Sequence, residues 1–138
     1  MKSASYSGTP LLKKLGIKYN FKIKLINAPE YYFTLFTDFP STIKLVKNNT
    51  DKVDFIHFFT TSVAEMEKQI VALKNQLQPE GMIWVSWHKK TSNIPTNITE
   101  NDIRHIALKN GLVDIKVCSV DEVWSALKLV IPVKDRNY

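Results

Sequence analysis

Glycine and cysteine are scarce in this sequence, and each scarcity excludes a class of site. Four glycines occur in 138 residues, and neither a G-x-x-x-x-G-K-[ST] phosphate loop nor a G-x-S-x-G elbow is present. Cys118 is the only cysteine, so an intramolecular disulfide is impossible and a classical zinc site is not expected. Its setting, Lys-Val-Cys-Ser-Val, has no cationic helix terminus beside it and reads as a buried, inert strand thiol. The three histidines, His57, His88 and His105, are isolated and show no metal-ligand spacing, so no metal is expected. No apolar run approaches membrane-spanning length and MKSASYSGTPLLKKLG has no apolar leader core, which predicts a cytoplasmic protein with no membrane partner. The Asn-X-Thr sequons at Asn48 and Asn97 are then chance matches.

Blocks of one charge sign are also missing. The net charge is +6, yet the lysines are scattered, with short pairs at Lys13-Lys14 and Lys89-Lys90. No basic block is interleaved with aromatics, so nucleic acid is permitted but unsupported, and the charge reads as a solvated surface. Apolar residues at 44% and charged residues at 23% fit one soluble domain large enough to bury a core.

The most informative stretch present is Val53 to Trp87. It reads as a buried strand, an amphipathic helix, a Pro-Glu-Gly turn and a second buried strand. That is one βαβ crossover, which predicts a parallel sheet covered by helices. The first strand, Val53 to Thr60, is nearly continuous in apolar residues, so both faces should be covered. His57 interrupts it and reads as a packed, hydrogen-bonded core histidine. Ser62 and Glu65 form an S-x-x-E capping box. Val63, Met66, Ile70, Leu73 and Leu77 then give one apolar stripe at helical spacing, ended by Pro79-Glu80-Gly81, with Met82 to Trp87 as the next strand.

The remaining elements follow from similar signals. Thr9-Pro10 opens a short helix that Gly16 closes. Phe21 to Asn27 is the first strand, with Lys22 and Lys24 alternating against apolar neighbours. Pro29-Glu30 opens an aromatic-rich helix through Phe36, and Thr42 to Lys47 is the second strand. After a polar loop from His88 to Ile98, Thr99 and Asp102 cap a helix whose buried face holds Ile103, Ile106 and Ala107, and His105 lies on its polar face. Val113 to Val120 and Ala126 to Val133 are the last strands. The connection Asp121-Glu122-Val123-Trp124 is too short for a crossover helix, so these two strands should be antiparallel neighbours. One domain is expected over residues 1–138, with residues 1–20 as a helical cover and 134–138 as a frayed tail.

The C-terminal half, a strand, a helix closing in P-x-G, a strand, a helix and an antiparallel pair, resembles the second half of a class I methyltransferase. The resemblance implies a three-layer α/β, Rossmann-like sheet of about six strands, in the order 2-1-3-4-6-5 with the last strand antiparallel. A closer resemblance covers nearly the whole chain. YSGTPLLKKLGI (Tyr6 to Ile17), WVSWHKK (Trp84 to Lys90) and VDIKVCSVDEVWSALKLV (Val113 to Val130) are similar to hallmark stretches of a small bacterial family, domain of unknown function 3052. His88 stands where proline is expected, and Ala126 where glycine is common. The family brings no established activity with it.

The methyltransferase resemblance would imply an S-adenosylmethionine site, but its two main determinants are missing. After the first strand a glycine-rich loop is replaced by Asn27-Ala28-Pro29-Glu30-Tyr31. At the end of the second strand an acidic residue is replaced by Val46-Lys47-Asn48. No cofactor is therefore expected. In open α/β sheets ligands bind at the carboxyl ends of the strands, near the switch in strand order. That edge would gather Asn27 and Glu30, Thr60, Thr61 and Ser62, Trp87, His88, Lys89 and Lys90, and Asp121, Glu122 and Trp124. Thr60 to Ser62 offer hydroxyls and free amides to an anion at a helix N-terminus. Lys89 and Lys90 add charge, and Trp87 or Trp124 an aromatic platform. Asp121 and Glu122 are adjacent on an extended turn and point apart, which suits them poorly to acid–base work. The competing expectation is capping by Ser62, core packing by both tryptophans and solvated lysines.

Three readings remain open. The leading one is a non-catalytic module that binds a small anionic ligand or a protein partner at the carboxyl edge. The second is a divergent S-adenosylmethionine-dependent methyltransferase or other transferase. The third is a structural interaction protein, a homodimer through an edge strand.

Overall fold

The structure is a computed structural model that describes residues 9–138. Its strands are β1 (Lys22–Ile26), β2 (Lys44–Leu45), β3 (Val53–Phe59), β4 (Leu77–His88), β5 (Val113–Ser119) and β6 (Trp124–Val130). They form one sheet in the order β2-β1-β3-β4-β6-β5. β1 runs parallel to β2 and β3, β3 runs parallel to β4, and β6 is antiparallel to both β4 and β5. This is the order, with an antiparallel β6, that the methyltransferase resemblance implies. No helix among the described residues is long and apolar enough to cross a membrane.

Two layers of cover follow from the alternation of side chains along β3. Ile56 and Phe58 face α2 (Val63–Gln76) and α3 (Glu100–Lys109), where they pack with Met66, Ile70, Ile103 and Ala107. Phe55 and Phe59 face the opposite layer. It is built from α1 (Leu11–Leu15) and a 3-10 turn (Tyr32–Leu35), and includes Leu15, Ile17, Tyr32 and Phe36. Gly16 ends α1 with φ of 78°, and the Trp84 indole N–H donates to the Leu15 carbonyl at 2.9 Å, tying α1 to β4.

His57 is fully buried, and both ring nitrogens are used. Nδ1 lies 2.9 Å from the Tyr32 hydroxyl and Nε2 lies 2.7 Å from Ser86 Oγ. The ring stacks on Phe59 at 4.2 Å. Desolvation by burial lowers its pKa to about 3 and pushes the Tyr32 phenol upward. Lys24 departs from the sequence expectation, because β1 turns it inward to 8% exposure. Its ammonium donates to Asn48 O at 3.0 Å, Asn49 Oδ1 at 2.8 Å and Gln76 Oε1 at 2.7 Å, which matches all three of its protons. Desolvation lowers its pKa.

Several boundaries differ from the expected ones. The segment after β1 forms one 3-10 turn instead of an α-helix to Phe36, and β2 is two exposed edge residues instead of six. Pro10 stands at the N-cap of α1, one position before the first helical residue. Trp124 opens β6 and is not part of the connection. The tail contains a 3-10 turn, Val133–Asp135, and Arg136 Nε donates to Ile131 O at 3.0 Å. The largest difference is at Pro79-Glu80-Gly81. α2 ends at Gln76 and Leu77 already pairs with Val53, while the next pair is Phe55 with Met82. Residues 78–81 therefore bulge out of β4, and a proline that cannot donate to the ladder is tolerated there.

Two outcomes follow. A Cβ on Gly81 would sit 2.7 Å from Leu77 Cδ1 and 3.1 Å from Asp54 O, so Gly81→Ala should destabilise by about 1–3 kcal/mol in urea denaturation. His57 is neutral in the folded chain below the pH at which the unfolded chain binds a proton. Stability is therefore full above the unfolded pKa of 6.5 and falls as pH drops toward the folded value of about 3. Denaturation between about pH 7 and pH 5 should show a slope approaching about 1.4 kcal/mol per pH unit, flattened in His57→Phe.

Candidate functional site

The switch in strand order falls between β1 and β3, and their carboxyl ends are stitched together there. Asn27 follows β1 in the left-handed region, φ 58°. Its Nδ2 donates to Phe59 O at 3.2 Å and to Glu65 Oε2 at 2.8 Å. Thr60 Oγ1 donates to Glu65 Oε1 at 2.7 Å. Only half of the expected capping box forms. Ser62 Oγ accepts from Glu65 N at 3.2 Å, but Ser62 N donates to Thr60 Oγ1. The Glu65 carboxylate is drawn away to Asn27 and Thr60. Asn97 Oδ1 accepts from Val63 N at 3.1 Å. The first amides of α2 therefore meet the chain's own oxygens, with a carboxylate beside them. Thr61 is exposed and its carbonyl accepts from Asn97 N, while Glu30 is exposed beyond the seam.

A second cluster forms at the corner of β4 and β6. His88 and Trp124 are cross-strand partners with ring centroids 4.1 Å apart, and Trp124 meets the edge of Phe59 at 5.0 Å. His88 Nδ1 is buried and has no hydrogen-bond partner among the described residues. Asp121, 8% exposed, accepts from Val123 N and Trp124 N through Oδ1, both at 2.8 Å. Tyr31 also bonds the Asp121 side chain. Desolvation first, and then the bond and charge of Asp121, push its phenol up to about 12. Lys89 Nζ donates to Ser119 Oγ at 2.6 Å. Cys118, half-buried beside these groups, has its thiol pKa raised by desolvation against the opposing pull of Lys14, Lys116 and Lys89.

Other residues of the predicted edge lie apart. Trp87 packs toward α2 and α3, on the face opposite Trp124. Glu122 and Lys90 are exposed, and Lys90 begins a short 3-10 turn. Tyr6 to Gly8 lie outside the described residues.

Beside Asp121 a cavity of about 650 Å³ opens between α1, the segment after β1 and the β5–β6 connection. Pro10, Leu11, Leu12, Ile17, Leu35 and Val120 give it an apolar lining, and Lys14, Thr34, Asp38 and Asp121 supply polar groups. That size and mixture suit a small-molecule site. Both the segment after β1 and Val120-Asp121 stand at carboxyl ends of strands, so the cavity belongs to the predicted edge. Sequence reasoning missed Glu65, Tyr31, Lys14 and Ser119 as members of it. Only Glu65 carried a signal, and that signal pointed to a cap.

No protein-family model matches the chain. No curated protein matches either. Solved structures do match. A Sulfolobus solfataricus protein assigned to the type 11 methyltransferases aligns with a TM-score of 0.64 at 14% identity, over 93% of each chain. Magnesium protoporphyrin IX methyltransferase from Synechocystis PCC 6803, solved with S-adenosylmethionine, aligns at 0.56 and 12% identity, over 88% of this chain and 74% of that one. The mitomycin 7-O-methyltransferase aligns at 0.59 and 7% identity, and the match spans 80% of this chain but only 48% of that enzyme. The fold is thus a methyltransferase-like Rossmann fold. At these identities the likeness is of fold alone.

The Tyr31–Asp121 contact is open to direct measurement. Ultraviolet titration should show a phenol ionising at about 12 that Tyr31→Phe deletes. Asp121→Asn removes the charge and should move that step downward, while a step that stays put would leave desolvation as its sole cause.

Proposed function

We propose that this protein is a non-catalytic binding module on a methyltransferase-like fold, and that its ligand enters the cavity beside Asp121 at the carboxyl edge of the sheet. The observation that carries this reading is the contrast between two places on one edge. The strand-order switch is filled by Asn27, Thr60 and Glu65, whereas the cavity between α1 and the β5–β6 connection is open, apolar and rimmed by a few polar groups. S-adenosylmethionine is not expected to bind. The loop after β1 has no glycine, leads into a single 3-10 turn, and faces a carboxylate where the cofactor fold uses backbone amides. Kinship with domain of unknown function 3052 belongs to this reading, supported by the three matching segments.

The neighbouring folds favour a second reading, a divergent S-adenosylmethionine-dependent transferase. Titration calorimetry with S-adenosylmethionine and S-adenosylhomocysteine separates the two. No saturable heat is expected from either, and tight saturable binding would overturn the first reading in favour of the second. Glu65→Gln, which removes the seam's charge, should leave that result unchanged.

A further inference from the structure

Lysines that are scattered along the sequence are gathered by the sheet on one face of its β5 side. Trp124 and Ala126 of β6 pack into the core on the α1 side, and the next residue of that alternation is Lys128. Its partners across the strands are Trp84 of β4, whose indole is tied to α1, and Lys116 of β5, so both lysines share that face. β5 is the outer strand, and Lys116 is exposed. Lys18, exposed just after α1, completes the group. Desolvation first, and then the charges of Lys116 and Lys18, hold the Lys128 ammonium below the ordinary lysine range. Among the described residues no hydrogen bond or ion pair is made by the ammonium of Lys18, Lys116 or Lys128, and both ion pairs belong to Arg104. Because the register shifts between Asp114 and Lys116, Asp114 falls on the opposite face, beside Leu129, where it bonds Arg104 of α3. Residues 1–8 contain no Asp or Glu.

Like charges directly opposite on neighbouring strands destabilise a sheet, and the free chain gains nothing from this pair. We propose that the face formed by Lys18, Lys116 and Lys128 binds single-stranded nucleic acid, with backbone phosphates on the lysines and a base stacked on Tyr19. The face is open, so a small ion held by solvated lysines would gain little, whereas a polyanion releases counterions for each phosphate neutralised. Tyr19 follows Lys18 in the chain and is 75% exposed, which presents its ring to an unstacked base. None of the three lysines lines the cavity beside Asp121, so this surface is separate from the ligand site proposed there.

The test is fluorescence anisotropy of a labelled oligothymidylate of about twenty nucleotides, titrated with the full chain at several salt concentrations. Saturable, salt-sensitive binding is expected. Combining Lys18→Gln, Lys116→Gln and Lys128→Gln should weaken it about tenfold at low salt and make the slope of log K against log salt shallower by about 2, the share of three phosphates on a single strand. If that variant fails to fold by circular dichroism, Lys116→Gln alone, on the outer strand, should make the slope shallower by about 0.7. Tyr19→Leu should weaken binding about tenfold with the slope unchanged. A charge-matched control combining Lys47→Gln, Lys68→Gln and Lys109→Gln, all exposed elsewhere, should cost less than about twofold. Absence of saturable binding, an equal loss in the control, or a slope unchanged by the lysine variants overturns the assignment. Equally tight binding of polyglutamate overturns it in favour of an acidic polypeptide partner, and undiminished binding by Tyr19→Leu overturns the stacked base and with it the single-strand assignment.

Discussion

β3 has almost no surface to give to water, and the architecture follows from that. Val53, Phe55, Ile56, His57, Phe58 and Phe59 are each at most 1% exposed, divided between the two faces of the strand. Full burial of each large apolar side chain is worth about 1.5–3 kcal/mol, so both faces need a layer. One layer is thick, because the crossover places fourteen-residue α2 there and α3 joins it. Among the described residues the other is thin, made of a five-residue helix and a four-residue 3-10 turn. A thin layer covers the centre of the sheet and leaves room at its margin. The cavity beside Asp121 is that room, so the candidate site is a consequence of how β3 is covered.

The thin layer also explains why a polar chain is buried in the core. With little helix on that side, Tyr32 reaches inward to His57 and Ser86 completes the chain from β4. Buried polar groups are tolerated when their bonds are complete, and these are. Lys24, in the middle of β1, and Gln76 solve the same problem on the α2 side, tying the residues 48–51 loop to the last turn of α2. Neither arrangement lines the cavity beside Asp121, which separates them from Asp121 itself.

Likeness to methyltransferases is a statement about strands and helices, and chemistry lives in loops. At the switch between β1 and β3 this chain puts Asn27, Thr60 and Glu65 in contact, so the same edge of the same fold presents a closed seam. An open pocket stands instead on the other side of the edge, against a helix that precedes the first strand.

Elements with local causes were legible in the sequence. The Thr99–Asp102 box forms both of its bonds within four residues, and the stripe Met66, Ile70, Leu73 is buried as its spacing requires. The crossover made β3 and β4 parallel neighbours, the short final connection made β5 and β6 antiparallel neighbours, and the full strand order came from the methyltransferase resemblance. Contacts between distant residues were not legible. Glu65 left its expected cap for Asn27, 38 positions away, Lys24 was turned inward by Gln76 at a separation of 52, and Lys89 met Ser119 at a separation of 30. The bulge at residues 78–81 was missed because Leu77 answers to Val53 on another strand more strongly than to the helix before it. By itself the sequence determined the βαβ crossover, the capped helix α3 and the final antiparallel pair, since periodicity and turn chemistry act over a few residues. Which polar side chains close the switch, and where the edge stays open, only the tertiary structure decided, because those contacts exist only once the packed sheet brings remote residues within hydrogen-bonding distance.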